Sequence, residues 1–328
     1  MNIFQGLHTD EQTLTRWDKL FVPAFDLFYF INETEAMQYL VKDTLIMTRK
    51  EFANDARLYT MNVTNSLFLW QVKKVASVVA VVPNELFLTW SVEQQVKVLL
   101  EQHRLGRGLV WDEQLIDYYF SKLDKETKSR LLQIIEEFFL FSYEGKRIVA
   151  INHHNWNQLS WEQKVFFLKV YATLFVNYED VWTSLQIEKK EFIQKEYPHL
   201  LKFINRYPEQ NGANCFATVL AAATEKQYNA DWIINQWLQP DSFLLGLKQR
   251  DYVFAFEMET IEESMLKAED VIIWKNDENE LIHTNFYLGV GLVFNKDGQL
   301  MFNPWQIITI EQLSSTWQGK IEIYRKKD

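Results

Sequence analysis

The chain has 328 residues, 48% of them hydrophobic and 15% aromatic, which supplies a sizeable core and is more easily read as two domains than one. Its 34 Lys and Arg stand against 44 Asp and Glu, a net charge near -10, and no basic stripe that a phosphate backbone would select appears, so no nucleic-acid partner is expected. The single cysteine excludes an intramolecular disulfide and a thiolate-rich zinc site, and no spacing of His, Asp and Glu forms a metal motif, so no metal or cofactor is expected.

Met1 to Thr15 is largely polar and lacks a basic segment leading into an apolar run. The apolar stretch Val75 to Val82 is far shorter than a bilayer crossing needs. The expectation is a soluble, cytoplasmic protein with no membrane span.

Residues 1–205 read as a mainly α-helical domain of unknown role. Apolar residues recurring at three and four place helices over Glu11 to Phe21, Asn32 to Leu40, Thr44 towards Val75, Ser91 to His103, Asp112 to Phe120, Asp124 to Phe141, Trp161 to Asn177 and Glu179 to Gln194. Ser91 and Ser160 each precede a glutamine by three residues, the spacing of a capping box. Each start follows a short apolar run, Val75 to Val82 and Ile148 to Ile151. Ordinary caps arising twice explain the likeness more simply than a duplicated unit. The exposed aromatics of this part would suit a protein partner.

The pattern changes after Tyr207-Pro208, and residues 206–328 read as a second domain. A helix runs from Cys215 to about Lys226, another from Ala230 to Leu238 with Asn229 as cap, and a third from Asp241 to Lys248. Strands follow at Val271 to Trp274, Ile282 to Leu288, Gly291 to Asn295, Trp305 to Ile310 and Ile321 to Tyr324. Helices first and an antiparallel sheet afterwards make an α+β unit.

Gln210-Asn211-Gly212-Ala213-Asn214-Cys215-Phe216 puts the cysteine where a turn becomes a helix, so unpaired amides and the helix dipole should favour a thiolate and lower its pKa. His283 is the one histidine on a predicted strand of this domain, with Asn285 and Tyr287 on the same side. A three-residue loop Leu288-Gly289-Val290 would set His283 opposite Asn295. That register predicts a catalytic triad of Cys215 as nucleophile, His283 as base and Asn295 as orienter, with Asn303 in reserve. Gln210, Asn211 and Asn214 are the candidates for oxyanion or substrate binding, beside the Cys215 amide. Asp270 reads as a strand-start cap, and Trp317 with the other tryptophans of the domain as packing.

From Cys215 to the end, these pieces resemble the NlpC/P60 group of papain-like cysteine peptidases. Asn214-Cys215-Phe216 falls at the nucleophile segment, Glu269-Asp270-Val271-Ile272-Ile273-Trp274 resembles the strand before the histidine, and His283-Thr284-Asn285-Phe286-Tyr287-Leu288-Gly289 resembles the histidine strand and its turn. Val293-Phe294-Asn295 falls at the third polar position, where the family more often has histidine, and Glu269 replaces its glycine. The resemblance implies a papain-like, NlpC/P60-type helix-plus-sheet fold and a cysteine hydrolase acting on a peptide, isopeptide or other acyl substrate. An acyltransferase with the same triad, or a binding or scaffold protein that keeps the fold without turnover, is the alternative.

Overall fold

The computed structural model describes residues 7–54, 75–224 and 226–327. It is a mixed helix and strand protein with antiparallel sheets, and it divides into two compact units. One unit is Leu14–Tyr171; the other joins Met1–Thr13 to Ala172–Asp328. No helix among the described residues is long and apolar enough to cross a membrane.

The first unit has more helix than strand among its described residues, and it adds strands that the sequence reading did not include. It holds two three-stranded sheets. In its first half come β1 (Phe25–Phe30), α1 (Glu33–Tyr39), β2 (Leu45–Thr48), β3 (Val78–Pro83), α2 (Asn84–Leu88) and α3 (Val92–Arg104). The second half holds β4 (Val110–Trp111), α4 (Glu113–Tyr119), β5 (Leu140–Tyr143), β6 (Lys146–Ala150), α5 (His153–Gln158) and α6 (Trp161–Ala172), with a further helix, Lys125–Ile134, between α4 and β5. Both sheets place the third strand between the first and second, as β1-β3-β2 and β4-β6-β5. The matching serine caps open the last helix of two halves whose sheets share one strand order.

Val78 to Val82 and Ile148 to Ala150, noted in the sequence only as short apolar runs, are central strands. Covered on both faces, they read as continuous apolar runs without alternation. The predicted helix from Thr44 begins as β2, followed by a helix at Arg49–Asn54; its stretch over 55–74 lies outside the described residues. The capping box at Ser160 is complete, since Gln163 Oε1 accepts from the Ser160 amide at 2.9 Å and Ser160 Oγ from the Gln163 amide at 3.3 Å. At Ser91 only half of it forms, because the Gln94 amide group donates to the Tyr39 carbonyl instead.

In the second unit the helix α7 (Ile187–Glu196) and the turn after it share a core with the C-terminal sheet, through Ile193, Tyr197, Leu200, Phe203 and Ile204. That packing moves the division of the chain to Tyr171/Ala172, earlier than the expected break after Asn205. Three helices follow: α8 (Cys215–Ala222), α9 (Gln227–Ile233) and α10 (Pro240–Gln249). Six antiparallel strands then form one sheet: β7 (Tyr252–Met258), β8 (Val271–Lys275), β9 (Leu281–Gly289), β10 (Leu292–Lys296), β11 (Trp305–Thr309) and β12 (Lys320–Lys326). Their order is β11-β10-β9-β8-β12-β7, and α11 (Ile310–Thr316) links β11 to β12. β7 is an edge strand absent from the sequence reading, with Val253 and Phe254 exposed.

Side-chain alternation gives the sheet two buried faces. On one, Val271, Ile273, Phe286, Leu288, Phe294 and Ile307 pack against Cys215, Phe216, Val219 and Leu220 of α8. Each fully buried Phe or Leu there contributes about 1.5–3 kcal/mol relative to an exposed one. On the other, Ile272, Trp274, Tyr287, Val293, Ile308 and Ile323 pack against Tyr178, Leu266 and Leu313. The approach of α10 to α8 is close: a Cβ on Gly246 would lie 2.5 Å from Leu220 Cδ1.

Candidate active site

α8 begins at Cys215 because Asn214 is a good N-cap. Its backbone is extended (φ -130°, ψ 177°), and its side-chain oxygen accepts from the Ala217 amide at 3.1 Å. The Asn214 amide group donates to the Leu238 carbonyl at 2.7 Å. Both ends of that side chain are therefore occupied, which removes Asn214 as an oxyanion donor. Asn211 accepts from the Met301 amide at 2.7 Å, and the Gly212 amide donates to the Gln299 carbonyl at 2.7 Å. These two bonds tie the turn before the cysteine to the loop after β10. Gln210 is exposed.

His283 stands on β9 opposite Trp274 and beside Asn285 and Asn295. The expected register is corrected by two residues. Val290 (φ 51°) and Gly291 (φ 77°) both take the left-handed conformation of a two-residue hairpin loop, and a bulge at Leu292/Val293 then pairs Val293 with Tyr287 and Phe294 with Phe286. Asn295 thus falls level with Asn285 and diagonal to His283. Its face is unchanged, because a shift of two preserves alternation. Asn295 Oδ1 lies 2.9 Å from His283 Nε2. Asn303, the reserve, is used elsewhere: its amide donates to the Phe175 carbonyl at 3.1 Å and its oxygen accepts from the Leu300 amide at 3.1 Å.

Two side chains fix which way the amides around the imidazole point. Trp274 Nε1 donates to Asn285 Oδ1 at 3.1 Å, which turns Asn285 Nδ2 towards Asn295 Oδ1 at 2.7 Å. Asn295 Nδ2 donates to Asp297 Oδ1 at 3.2 Å, which turns Asn295 Oδ1 towards the imidazole. That oxygen has two lone pairs, one for Asn285 and one for His283. The arrangement favours the tautomer carrying its proton on Nε2, and among the described residues Nδ1 makes no hydrogen bond. Asn285 Nδ2 also lies 3.2 Å from His283 Nε2, but its donation is directed to the shorter contact.

Cys215 and His283 belong to opposite faces of the sheet, so the expected meeting of sulfur and imidazole is not formed. The sulfur lies in the cluster with Phe286 and Phe294, whereas the imidazole stacks on Trp317. The pairing of β10 with β9 ends at Phe294. No hydrogen bond joins sulfur and imidazole among the described residues. Both groups are covered, Cys215 being 8% exposed and His283 1%.

Burial decides the protonation of this closed arrangement. It pushes the Cys215 thiol up to about 12, against the lowering effects of the Thr284 and Phe216 amides and the Lys296 ammonium. The expectation of a depressed thiol pKa is overturned, because loss of solvent outweighs the helix-end amides. Burial likewise lowers the His283 pKa, with Asp297 and Asn295 acting in the opposite sense. Lys296 is fully buried on the α8 face, donates to the Gly298 and Leu300 carbonyls at 3.2 and 3.3 Å, and is lowered to about 7 by burial.

Sequence reasoning missed Asp297, Thr284 and Lys296, read Trp317 only as packing, and noted Asn285 only as a neighbour on the histidine face. The signal for Asp297 was its position two residues beyond Asn295, which extends the same face of β10. Trp317 lies beyond α11 and carried no local signal. Asp270 is structural: it accepts from the Lys267 amide and pairs with Arg325 through contacts of 2.7 and 2.6 Å. Among the described residues no group of His, Cys, Asp and Glu could hold a metal ion. Comparison with models of known families, with curated proteins and with solved structures finds no match to this chain.

Proposed function

We propose that the C-terminal domain is a papain-like, NlpC/P60-type cysteine hydrolase that cleaves an amide or peptide bond through an acyl-enzyme. The observation that carries this reading is the pair His283 Nε2 and Asn295 Oδ1 at 2.9 Å, with Nδ1 left without a hydrogen bond among the described residues. In the reaction Nδ1 takes the thiol proton and the thiolate attacks the carbonyl carbon. The resulting imidazolium protonates the leaving amine as the C–N bond breaks, and a thioester forms on Cys215. A water that gives its proton to His283 then attacks the thioester, releasing the acid and restoring the thiol.

The closed form holds thiol and imidazole neutral, so substrate entry must rehydrate the sulfur before the ion pair forms. Peptide, isopeptide and ester donors are the substrate classes this chemistry accepts. The same thioester would serve an acyltransferase if an amine or alcohol replaced water.

A second reading has its own support. A thiol pushed up to about 12 is what a buried packing residue would have, and it favours a binding or scaffold protein without turnover. Intact-mass measurement after incubation with activated ester and amide donors separates the two. A hydrolase or transferase gains one acyl group on Cys215 and none in Cys215→Ser, and added amine acceptors divert product only for a transferase. No acyl adduct with any donor class would leave the scaffold reading.

A further inference from the structure

Asp297 follows β10 and lies on the imidazole side of the sheet, 10% exposed at its side chain. Its carboxylate is gripped from several directions. Oδ1 accepts from Asn295 Nδ2 at 3.2 Å and from the Tyr178 hydroxyl at 3.5 Å, and Oδ2 accepts from Asn177 Nδ2 at 2.8 Å. Oδ1 also lies 3.8 Å from His283 Nε2, too far for a hydrogen bond and near enough for a charge effect. The residues holding the carboxylate come from the segment before α7, which is anchored beside it: Phe175 stacks on Phe302 and accepts from Asn303, and the Tyr178 carbonyl accepts from Gln306 at 3.3 Å.

We infer that Asp297 is a positioning residue for the histidine: acting through Asn295, it selects the Nε2–H tautomer, and its charge stabilises the imidazolium formed when the thiol proton is taken. The inference rests on the hydrolase reading for its purpose, but the tautomer can be measured without turnover. If Asn295 were free to flip, it would present its amide group to Nε2, which would then have to accept and would place the proton on Nδ1. That tautomer cannot receive the thiol proton. Asp297 prevents the flip by accepting from Asn295 Nδ2.

Other groups facing the imidazole do not supply this effect. β8 contributes the neutral Trp274, the end of α11 the neutral Trp317, and the segment before α7 the Tyr178 hydroxyl, whose pKa burial raises. Asn285 and Asn295 are neutral, and the Cys215 thiol of α8 and Lys296 lie on the opposite face of the sheet. Among these groups Asp297 is the source of negative charge at neutral pH.

The test is nitrogen NMR of full-length protein carrying labelled histidine, with the His283 signals assigned by their loss in His283→Ala. The native protein should show Nε2 protonated and Nδ1 bare near neutral pH. Asp297→Leu should bring in the Nδ1–H form. Asp297→Asn, which still accepts from Asn295, should keep the tautomer but shift protonation of the ring to lower pH. Asn177→Ala supplies a milder disturbance if Asp297→Leu fails to fold, and because it leaves the carboxylate charged with one donor fewer it should shift ring protonation to higher pH, opposite to Asp297→Asn. A bare Nε2 in the native protein, or ring signals and titration unchanged in Asp297→Asn, would overturn the inference. Failure of the acyl-adduct experiment with these NMR results intact would refute the hydrolase reading alone.

Discussion

Trp317 lies flat on the His283 imidazole, with ring centroids 3.9 Å apart and planes 2° from parallel. The indole covers one face of the ring and contributes to the burial that lowers the histidine pKa. Trp317→Ala should therefore let that pKa rise towards the ordinary value of about 6.5. It should also cost about 2–4 kcal/mol of stability through the lost packing. Trp317→Phe should keep most of both effects. Proton NMR titration of the His283 ring and urea denaturation of the same variants check the two parts.

Asn295→Ala removes the acceptor for two donors and the donor to a buried carboxylate. We expect a stability loss of about 1–3 kcal/mol from the groups left unpaired. If the hydrolase reading holds, turnover should fall by about 10²-fold or more, since the imidazole loses its fixed tautomer. Asn303→Ala should weaken the loop after β10 while leaving the imidazole tautomer in place. Chemical denaturation together with donor turnover separates these variants.

Lys296 should leave a mark on stability against pH. Its folded pKa of about 7 is below the unfolded value of about 10.4, so the unfolded chain binds more protons between them. Stability contributed by this group is complete above about 10.4 and is lost as pH falls towards 7. Cys215 acts oppositely: its raised pKa contributes stability that is lost as pH rises beyond about 8.5, the unfolded thiol value. Between about pH 7 and 8.5 the lysine effect is unopposed by the thiol, and stability should rise with pH. Urea midpoints measured across that window should climb for the native protein and stay flat for Lys296→Met.

Glu269 occupies a left-handed backbone position, with φ 73°, where the resembled family carries glycine. Its amide still donates to the Tyr287 carbonyl at 2.8 Å, so the turn is held despite the strain. Glu269→Gly should raise stability by about 1 kcal/mol, the cost of a non-glycine residue in that region. Thermal unfolding of the variant should show a higher midpoint.

What the sequence disclosed about this fold follows from how local each signal was. The helix opening at Cys215, its Asn214 cap and the strands around His283 were legible because capping and alternation operate over a few residues. The side of β10 that carries Asn295 was legible as well, but its register was not, because Val290 taking a positive φ could not be read from residue type. The central strands of the first unit were hidden by burial on both faces, which erases the period of two. The thiol pKa was misjudged because helix-end effects are local, whereas burial comes from Phe286, Phe294 and other residues distant in the chain. Asp297 and Trp317 acquire their roles only through tertiary approach.

The rate at which a small thiol-directed electrophile labels Cys215, followed from about pH 5 to 10 on the native protein and on His283→Ala, bears most directly on the proposed proton transfer. The account predicts slow labelling of the native protein, because burial pushes the thiol pKa up, with a residual component below about pH 8.5 that depends on proton transfer to His283. His283→Ala should lose that component and follow thiol ionisation alone. Superimposable profiles for the two proteins would contradict the assignment of His283 as the base.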